Sequence, residues 1–344
     1  MFRRILILSL LACLAGGCIK EKTGDCTSGV RLQFRYTHNP ADQDLLAARV
    51  GDMRVYLFDK STELLVRVIR VGREDIARGW MRVDIPRGDY RAVAWAGSGG
   101  DLLAEGYHEA RMADPLTGEC IPQAEIGEAT LVDFRMALTT LDLPAGSVGE
   151  VAPHQESFCD LFFATADVLS DNAQSRTVLF DFIKNTSTLR VRVTGLEHLA
   201  PVPAPGQPLH VFITGPNERY LCDNSICLNT RQVRYEPPCT SLTPSAMEID
   251  IRIQRLVIDY HAASPALLYL RDPASGQDLI APLDVMDAIL RAKDAGGNYI
   301  WPTQEAVDRE DEFPFEISIR QDLSVSITVE GFGIVDAPPL IGRD

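Results

Sequence analysis

The chain contains 344 residues, 46% of them hydrophobic, and carries a formal net charge of −15 at pH 7. Nucleic acids and anionic lipid headgroups are themselves negatively charged, so this charge argues against both as partners. About 326 residues follow Cys18, which is more than one ordinary hydrophobic core uses and therefore predicts two domains.

The N-terminus has the order of a bacterial export signal. Arg3 and Arg4 precede an apolar run from Ile5 to Leu14, which is too short to span a bilayer as a helix. Small residues then lead directly to Cys18. This order is similar to the bacterial lipobox, in which the cysteine thiol receives diacylglycerol and the signal is cut before it. We therefore predict a lipoprotein signal peptide at residues 1–17 and a lipid on Cys18. A secreted protein cut at the same point without a lipid is the alternative.

Two or three acyl chains anchor a protein stably in a membrane, whereas a single chain binds only reversibly. The residue after Cys18 is isoleucine, so the aspartate that retains lipoproteins in the inner membrane of enteric bacteria is absent. The sequence therefore predicts anchoring in the outer membrane, with residues 18–28 as a tether and the protein on the cell surface.

Cysteine usage also favours export. Six cysteines follow Cys18, and an even number in an exported chain is typical of disulfides, with 15 full pairings that the sequence leaves open. These candidate disulfide residues are Cys26, Cys120, Cys159, Cys222, Cys227 and Cys239. A metal site is the alternative, but the C-x4-C spacing of Cys222 and Cys227 lacks a second closely spaced pair. We therefore predict no metal ligands.

The first strand is predicted where Val30, Leu32, Phe34 and Tyr36 alternate with polar residues, the period of a half-buried strand. Further strands are predicted at residues 53–58, 64–71, 81–85, 90–94, 129–139, 178–182, 189–193, 209–214, 247–253, 266–271, 315–320 and 323–329. A single helix is predicted at residues 283–292, and the proline-rich residues 201–208 are typical of a linker.

Two strand pairs are predicted from the turns between strands. Residues 81–85 and 90–94 flank Pro86–Asp89 and predict a hairpin around that turn, which also gives Arg87-Gly-Asp a local role. Residues 178–182 and 189–193 are predicted to join around Lys184 and Asn185. Short strands separated by turn residues, without strand–helix alternation, predict an all-β fold of β-sandwiches. The domains are predicted at residues 29–172 and 173–344.

No catalytic motif is evident, and the sequence predicts neither a cofactor nor a small-molecule substrate. The histidines are too dispersed for a metal-ligand pair, and nucleotide-binding and nucleophile motifs are absent. Asp308, Glu310 and Asp311 are interpreted as a solvated charge run. An envelope glycosidase with two carboxylates across a cleft is the enzymatic alternative.

The segment after the signal resembles a known family. The residues that carry the resemblance are Cys18, Cys26, Leu32, Phe34, Tyr36 and Asn39. They are similar to the start of the FimB-type fimbrial anchor proteins, which are minor fimbrial subunits of the Bacteroidales. Looser similarity continues at residues 55–59, 85–90, 94–97, 161–163, 189–195 and 325–332, although Phe332 stands where the family more often has Trp.

This resemblance implies two transthyretin-like β-sandwich domains, no catalysis, and a role at the base of a fimbria. The partners implied are fimbrial shaft subunits, joined by addition of a strand to an open sheet, and the membrane through the covalent lipid. A surface lipoprotein that binds glycan or protein without fimbriae is the second hypothesis, and an envelope hydrolase is the third.

Overall fold

The computed structural model describes residues 29–337 except residue 105 and residues 115–118, 144–149, 155–157, 172–175, 200–208, 228–230 and 261–263. The predicted signal peptide, Cys18, Cys26, the linker at 201–208 and the domain boundary at 172 lie outside the described residues.

Strands dominate the described part of the chain. In chain order they are β1 (Val30–Arg35), β2 (Asp52–Asp59), β3 (Leu65–Val71), β4 (Trp80–Val83), β5 (Gly88–Gly97), β6 (Tyr107–Asp114), β7 (Glu119–Pro122), β8 (Phe134–Leu138), β9 (Thr140–Asp142), β10 (Glu150–Pro153), β11 (Leu161–Ser170), β12 (Thr177–Asp181), β13 (Ile183–Lys184), β14 (Thr186–Thr194), β15 (His210–Gly215), β16 (Arg219–Leu221), β17 (Gln232–Tyr235), β18 (Ser241–Leu242), β19 (Ala246–Gln254), β20 (Leu267–Arg271), β21 (Leu283–Asp284), β22 (Glu312–Ile319), β23 (Val325–Val329) and β24 (Phe332–Ala337). The α-helices are α1 (Leu46–Arg49), α2 (Arg73–Arg78), α3 (Val285–Arg291) and α4 (Gln304–Arg309).

The strands form five sheets, which we number I to V. Sheet I has the order β12-β1-β4, sheet II β13-β11-β5-β2-β3, and sheet III β16-β8-β6-β7. Sheet IV has the order β21-β20-β15-β17-β10-β9, and sheet V β18-β19-β14-β22-β23-β24. The all-β prediction is confirmed.

Sheet II separates two hydrophobic cores. On β5, Ala92 and Ala94 point into a first core shared with sheet I, whereas Val93 and Trp95 point into a second core. A strand buried on both faces needs apolar residues at successive positions, which explains the run of Ala and Val before Trp95. The period-two pattern of β1 reflects one buried face only, since Val30, Leu32 and Phe34 are buried.

The second core joins strands from distant parts of the chain. Trp95 packs against Phe163 and Tyr220, with ring centroids 4.8 and 5.7 Å apart. The sheets interlock in the same way, because Val151 of β10 pairs with Val233 of β17. The N-terminal and C-terminal halves are therefore held together by both pairing and packing.

The predicted hairpin around Pro86–Asp89 is wrong. β4 pairs with β1 in sheet I, whereas β5 pairs with β2 and β11 in sheet II. The turn carries the chain from one sheet to the facing sheet, and the Tyr90 hydroxyl donates a hydrogen bond to the Pro86 carbonyl at 3.0 Å. A hairpin and such a crossover both show a period-two pattern on each side of the turn, so the sequence pattern does not distinguish them.

The predicted pair around Lys184 and Asn185 is also wrong. β12 runs parallel to β1, with Phe180 opposite Phe34, whereas β14 pairs with β19 and β22 in sheet V. The single predicted helix corresponds to α3, whose first turn is capped by the side chain of Asp284. The other three helices are only four to six residues long, too short to show a helical period.

Candidate functional site: a buried junction and open sheet edges

The chain passes between three sheets within residues 182–187, and we call these residues the crossing segment. β12 of sheet I ends at Asp181, β13 belongs to sheet II, and β14 of sheet V begins at Thr186. Its polar residues are buried: Lys184 is 8% exposed and Asn185 is 0% exposed. Lysine is almost never this buried unless it is paired.

Lys184 lies at the centre of a network of ion pairs. Its ammonium group is 2.7 Å from a carboxylate oxygen of Asp311 and 3.8 Å from one of Asp160. Each carboxylate has a second cation, because Arg49 lies 3.4 Å from Asp311 and Arg252 lies 3.5 Å from Asp160. The network therefore connects α1, the start of β11, β19 and the start of β22 through one lysine.

Asn185 satisfies the backbone and side-chain groups around the crossing. Its side-chain amide exchanges hydrogen bonds with Asn224, and its backbone nitrogen donates to the Leu161 carbonyl at 2.6 Å. Its carbonyl accepts from the Arg255 nitrogen at 2.8 Å and from the Tyr220 hydroxyl at 3.2 Å. Burial raises the pKa of Tyr220, so this hydroxyl keeps its proton and acts as a donor. Asn185 is thus a buried tie between segments.

The interpretation of Asp308, Glu310 and Asp311 as a solvated charge run is wrong. Asp308 accepts two hydrogen bonds from Arg255, at 2.7 and 2.5 Å, and Asp311 binds Lys184. Glu310 accepts a hydrogen bond from the Trp301 indole at 3.3 Å. Each carboxylate is engaged by its own donor, so these residues stabilise the junction and do not form an acid–base pair.

Other kinds of site are not seen in the described residues. Within these ranges, no group of three His, Cys, Asp or Glu side chains could hold a metal ion. In the same part of the chain, no helix is long and apolar enough to cross a membrane.

Among the described strands, three of five or more residues lie at sheet edges, namely β3, β12 and β24. Such edges present backbone donors and acceptors to an incoming strand. The edge of β3 is partly covered, because Leu65 exchanges backbone hydrogen bonds with Ala129 and Gly127. β12 pairs with β1, the first strand after the tether. β24 is the last described strand, and on it the Ile334 carbonyl accepts a hydrogen bond from Arg291 at 3.3 Å.

The described cysteines occupy different environments. Cys159 and Cys222 are buried, and burial raises the pKa of the Cys222 thiol, which donates to the Phe134 carbonyl at 4.0 Å. Cys120 lies on β7, Cys227 is half-buried beside Arg219, and the Cys239 thiol lies 2.9 Å from the Ser241 carbonyl. The disulfide pairing stays a prediction.

A comparison of the sequence with known protein families gives one match, to the fimbrillin-A associated anchor proteins Mfa1 and Mfa2, across residues 22–338. The chain belongs to this family. The match confirms the resemblance to fimbrial anchor proteins and extends it over the C-terminal half, where few residues had carried it. The fimbrillin-A associated anchor family is one of fimbrial structural proteins.

Solved structures show the same fold. The fimbrial anchor protein Mfa2 of Porphyromonas gingivalis is 16% identical, with a TM-score of 0.63 over 90% of this chain and 99% of that one. A candidate adhesin of Bacteroides ovatus is 17% identical, with a TM-score of 0.69 over 89% and 94%. A Bacteroides thetaiotaomicron protein described as a candidate polysaccharide-binding protein is 19% identical, with a TM-score of 0.67 over 89% and 97%. No curated protein matches the chain in sequence.

We predict that the Lys184 network holds this anchor-family fold together. Replacing Lys184 by Met keeps the length of the side chain but removes its charge. Two partly buried carboxylates then lose their shared cation. We expect a loss of about 3 kcal/mol in the free energy of unfolding, measured by urea denaturation.

The matched control is Lys60→Met. Lys60 also contacts two carboxylates, at 2.9 and 3.2 Å, but these pairs are solvated and contribute little. Equal losses for the two variants would show that the crossing segment is not specially stabilised by Lys184.

Proposed function

We propose that this protein anchors a fimbrial shaft to the outer membrane through a lipid on Cys18. The family match carries the proposal, because it begins at residue 22, four residues after the predicted lipidation site. The lipid and the fimbrial fold are therefore adjacent in the chain, as a tether and its load must be.

The fold supports this role mechanically. The tether leads directly into β1, which lies in the middle of sheet I and is hydrogen-bonded on both sides, by β12 and β4. A pull on Cys18 would therefore act on two strand pairs together. From sheet I the load passes through the crossing segment to sheet V, where Lys184 and Asn185 tie the sheets to each other.

We propose that a shaft subunit adds a strand to the edge of β24. This strand has six residues, lies at the edge of sheet V, and is the last strand in the described part of the chain. Main-chain hydrogen bonds would give the affinity, and the alternation of side chains would set the register.

We also divide the chain into two transthyretin-like β-sandwiches after Phe182, ten residues beyond the predicted boundary. The pairing of β12 with β1 and the burial of Phe180 and Phe182 in the first core favour this position. Strand β10, which pairs with β17, and β9, which pairs with β10, would then be an extension of the first sandwich into the second.

A second candidate function is glycan binding without fimbriae. An open groove of about 620 Å³ crosses the outer face of sheet V, and Arg190, Arg192, Glu248 and Glu316 line it. One relative with the same fold is described as a candidate polysaccharide-binding protein. Guanidinium and carboxylate groups in a groove suit sugar hydroxyls, which both donate and accept hydrogen bonds.

Replacement of Cys18 by Ala in cells is the test of the anchor. We expect the protein and its fimbriae to appear together in the medium, because the shaft would have lost its hold on the membrane. Immunoblots and electron microscopy of cells and medium measure both. The Cys13→Ala variant is the control, since that cysteine lies in the signal sequence. Fimbriae that stay on Cys18→Ala cells would contradict the anchor role and favour the glycan-binding alternative.

Hydrogen exchange measured by mass spectrometry tests the site of strand addition. When purified shaft subunit is added to the mature protein, the amides of β24 are expected to exchange at least tenfold more slowly, because an added strand pairs with them. The other long edges, β3 and β12, provide internal controls. Slower exchange in β12 with no change in β24 would place the added strand on sheet I instead.

A further inference from the structure

The net charge of the chain hides a strong asymmetry. Residues 29–100 carry twelve basic and nine acidic side chains, a local charge of +3. Residues 101–344 carry seventeen basic and thirty-seven acidic side chains, a charge of −20. The positive part is therefore the part that follows the tether directly, and the remainder is strongly acidic.

The outer face of sheet I is basic and partly apolar. Val30, Leu32 and Phe34 of β1 point into the first core, so the residues between them point outward. The register places β4 and β12 residues beside them on the same face. We call this surface the basic face; its strand members are Arg31, Arg35, Trp80, Arg82, Leu179 and one acidic residue, Asp181, and Arg78 of α2 joins them by contacting the Trp80 ring.

Trp80 is held between two guanidinium groups. The guanidinium carbons of Arg31 and Arg78 lie 4.3 and 4.4 Å from the centroid of its ring. Arg78 also pairs with Asp75, and Arg35 pairs with Asp181 at 2.6 Å. Arg31 makes no ion pair within the described residues, and its Nε atom is buried without a hydrogen-bond partner.

Arg82 lies directly opposite Arg31 in the β1–β4 register, so two arginines are adjacent on this face. Next to them, Trp80 pairs with Gln33, which in turn pairs with Leu179 of β12. Leu179 is 40% exposed. Tryptophan and arginine next to exposed aliphatic residues are typical of surfaces that lie at a membrane–water interface.

The tether keeps this face close to a bilayer. Val30 lies twelve positions after Cys18, and a fully extended chain of that length spans about 40 Å. The basic face is thus confined near the membrane surface, where an anionic headgroup layer attracts arginine and repels the acidic remainder of the protein.

We propose that the basic face rests on the anionic lipid headgroups of the membrane that holds Cys18, with Arg31 and Arg82 on phosphate groups. Trp80 and Leu179 enter the interface between headgroups and acyl chains. The proposal rests on the lipid anchor proposed above and adds a defined orientation to it. The net charge of −15 had argued against anionic lipids as partners; the local charge and the tether favour them for this one face.

Trp80 itself supplies the reporter for a test. The chain has three tryptophans, and the other two are buried, with Trp95 exposed by 0% and Trp301 by 5%. A quencher attached to lipid headgroups is therefore expected to reduce the fluorescence of Trp80 and hardly that of the other two tryptophans. The mature lipidated protein would be reconstituted into vesicles of phosphatidylcholine, with or without phosphatidylglycerol, and flotation would be measured first.

We expect strong quenching in vesicles with phosphatidylglycerol and weak quenching in phosphatidylcholine alone. One arginine near an anionic surface changes such an equilibrium about fivefold, so the Arg31→Gln and Arg82→Gln double variant is expected to shift it about 25-fold towards the unbound orientation. The Trp80→Phe variant should remove the quenched signal. The control is the Arg190→Gln and Arg192→Gln double variant on sheet V, which makes the same change in charge at exposed positions.

Each outcome bears on the proposal. Flotation without quenching would overturn it and leave the lipid anchor in place, whereas failure to float would remove the anchor and the proposal together. Equal loss of quenching in the two double variants would show a general charge effect and would also overturn the proposal. Cross-links that join the basic face to a second copy of the chain would overturn it as well. Thermal melting of each variant, with Arg82→Gln alone as the mildest change, establishes that the fold is kept.

Discussion

The structure depends on one buried crossing between sheets. Within six residues the chain leaves sheet I, pairs with sheet II and enters sheet V, and it does so through polar residues that solvent hardly reaches. A buried lysine is tolerated only because Asp160 and Asp311 face it, and each of these is also held by an arginine. Burial of a charge is costly unless it is paired, so the network fixes the geometry of the segments that meet there. The anchor role that we propose would need such a fixed connection.

The sequence predicted many of the strands, such as β1, β2 and β19, but it missed others, such as β6, β7 and β17, and it predicted strand partners poorly. Alternation at Val30, Leu32 and Phe34 correctly indicates one buried face, because the period of a strand depends only on which side is covered. It carries no information about the neighbouring strand. The residues on either side of Pro86 therefore suggested a hairpin, although they lie in facing sheets. Long-range pairs, such as β1 with β12 or β10 with β17, are set by the packing of whole sheets.

The functional regions were predictable to different degrees. The motif that predicts a lipid on Cys18 is local, so the sequence alone suffices for that prediction. The role of Lys184 and Asn185 is not local, since their partners are as distant as Asp311 and Asn224. The absence of Gly and Pro from residues 184–187 was the one signal that this was not an ordinary turn. Net charge likewise averages over the chain and misses the opposite sign of residues 29–100.

The family match places the chain among the fimbrial anchor proteins. We propose that it links a membrane to a polymer through a tether before β1 and through the crossing segment. The position of the protein on a fimbria tests this claim most directly. Immunogold labelling of intact cells, with antibodies against residues 29–337, would show where the protein lies along each filament. We predict a single label at the point where each fimbria meets the cell. Label along the length of the shaft, or at its free end, would contradict an anchor role.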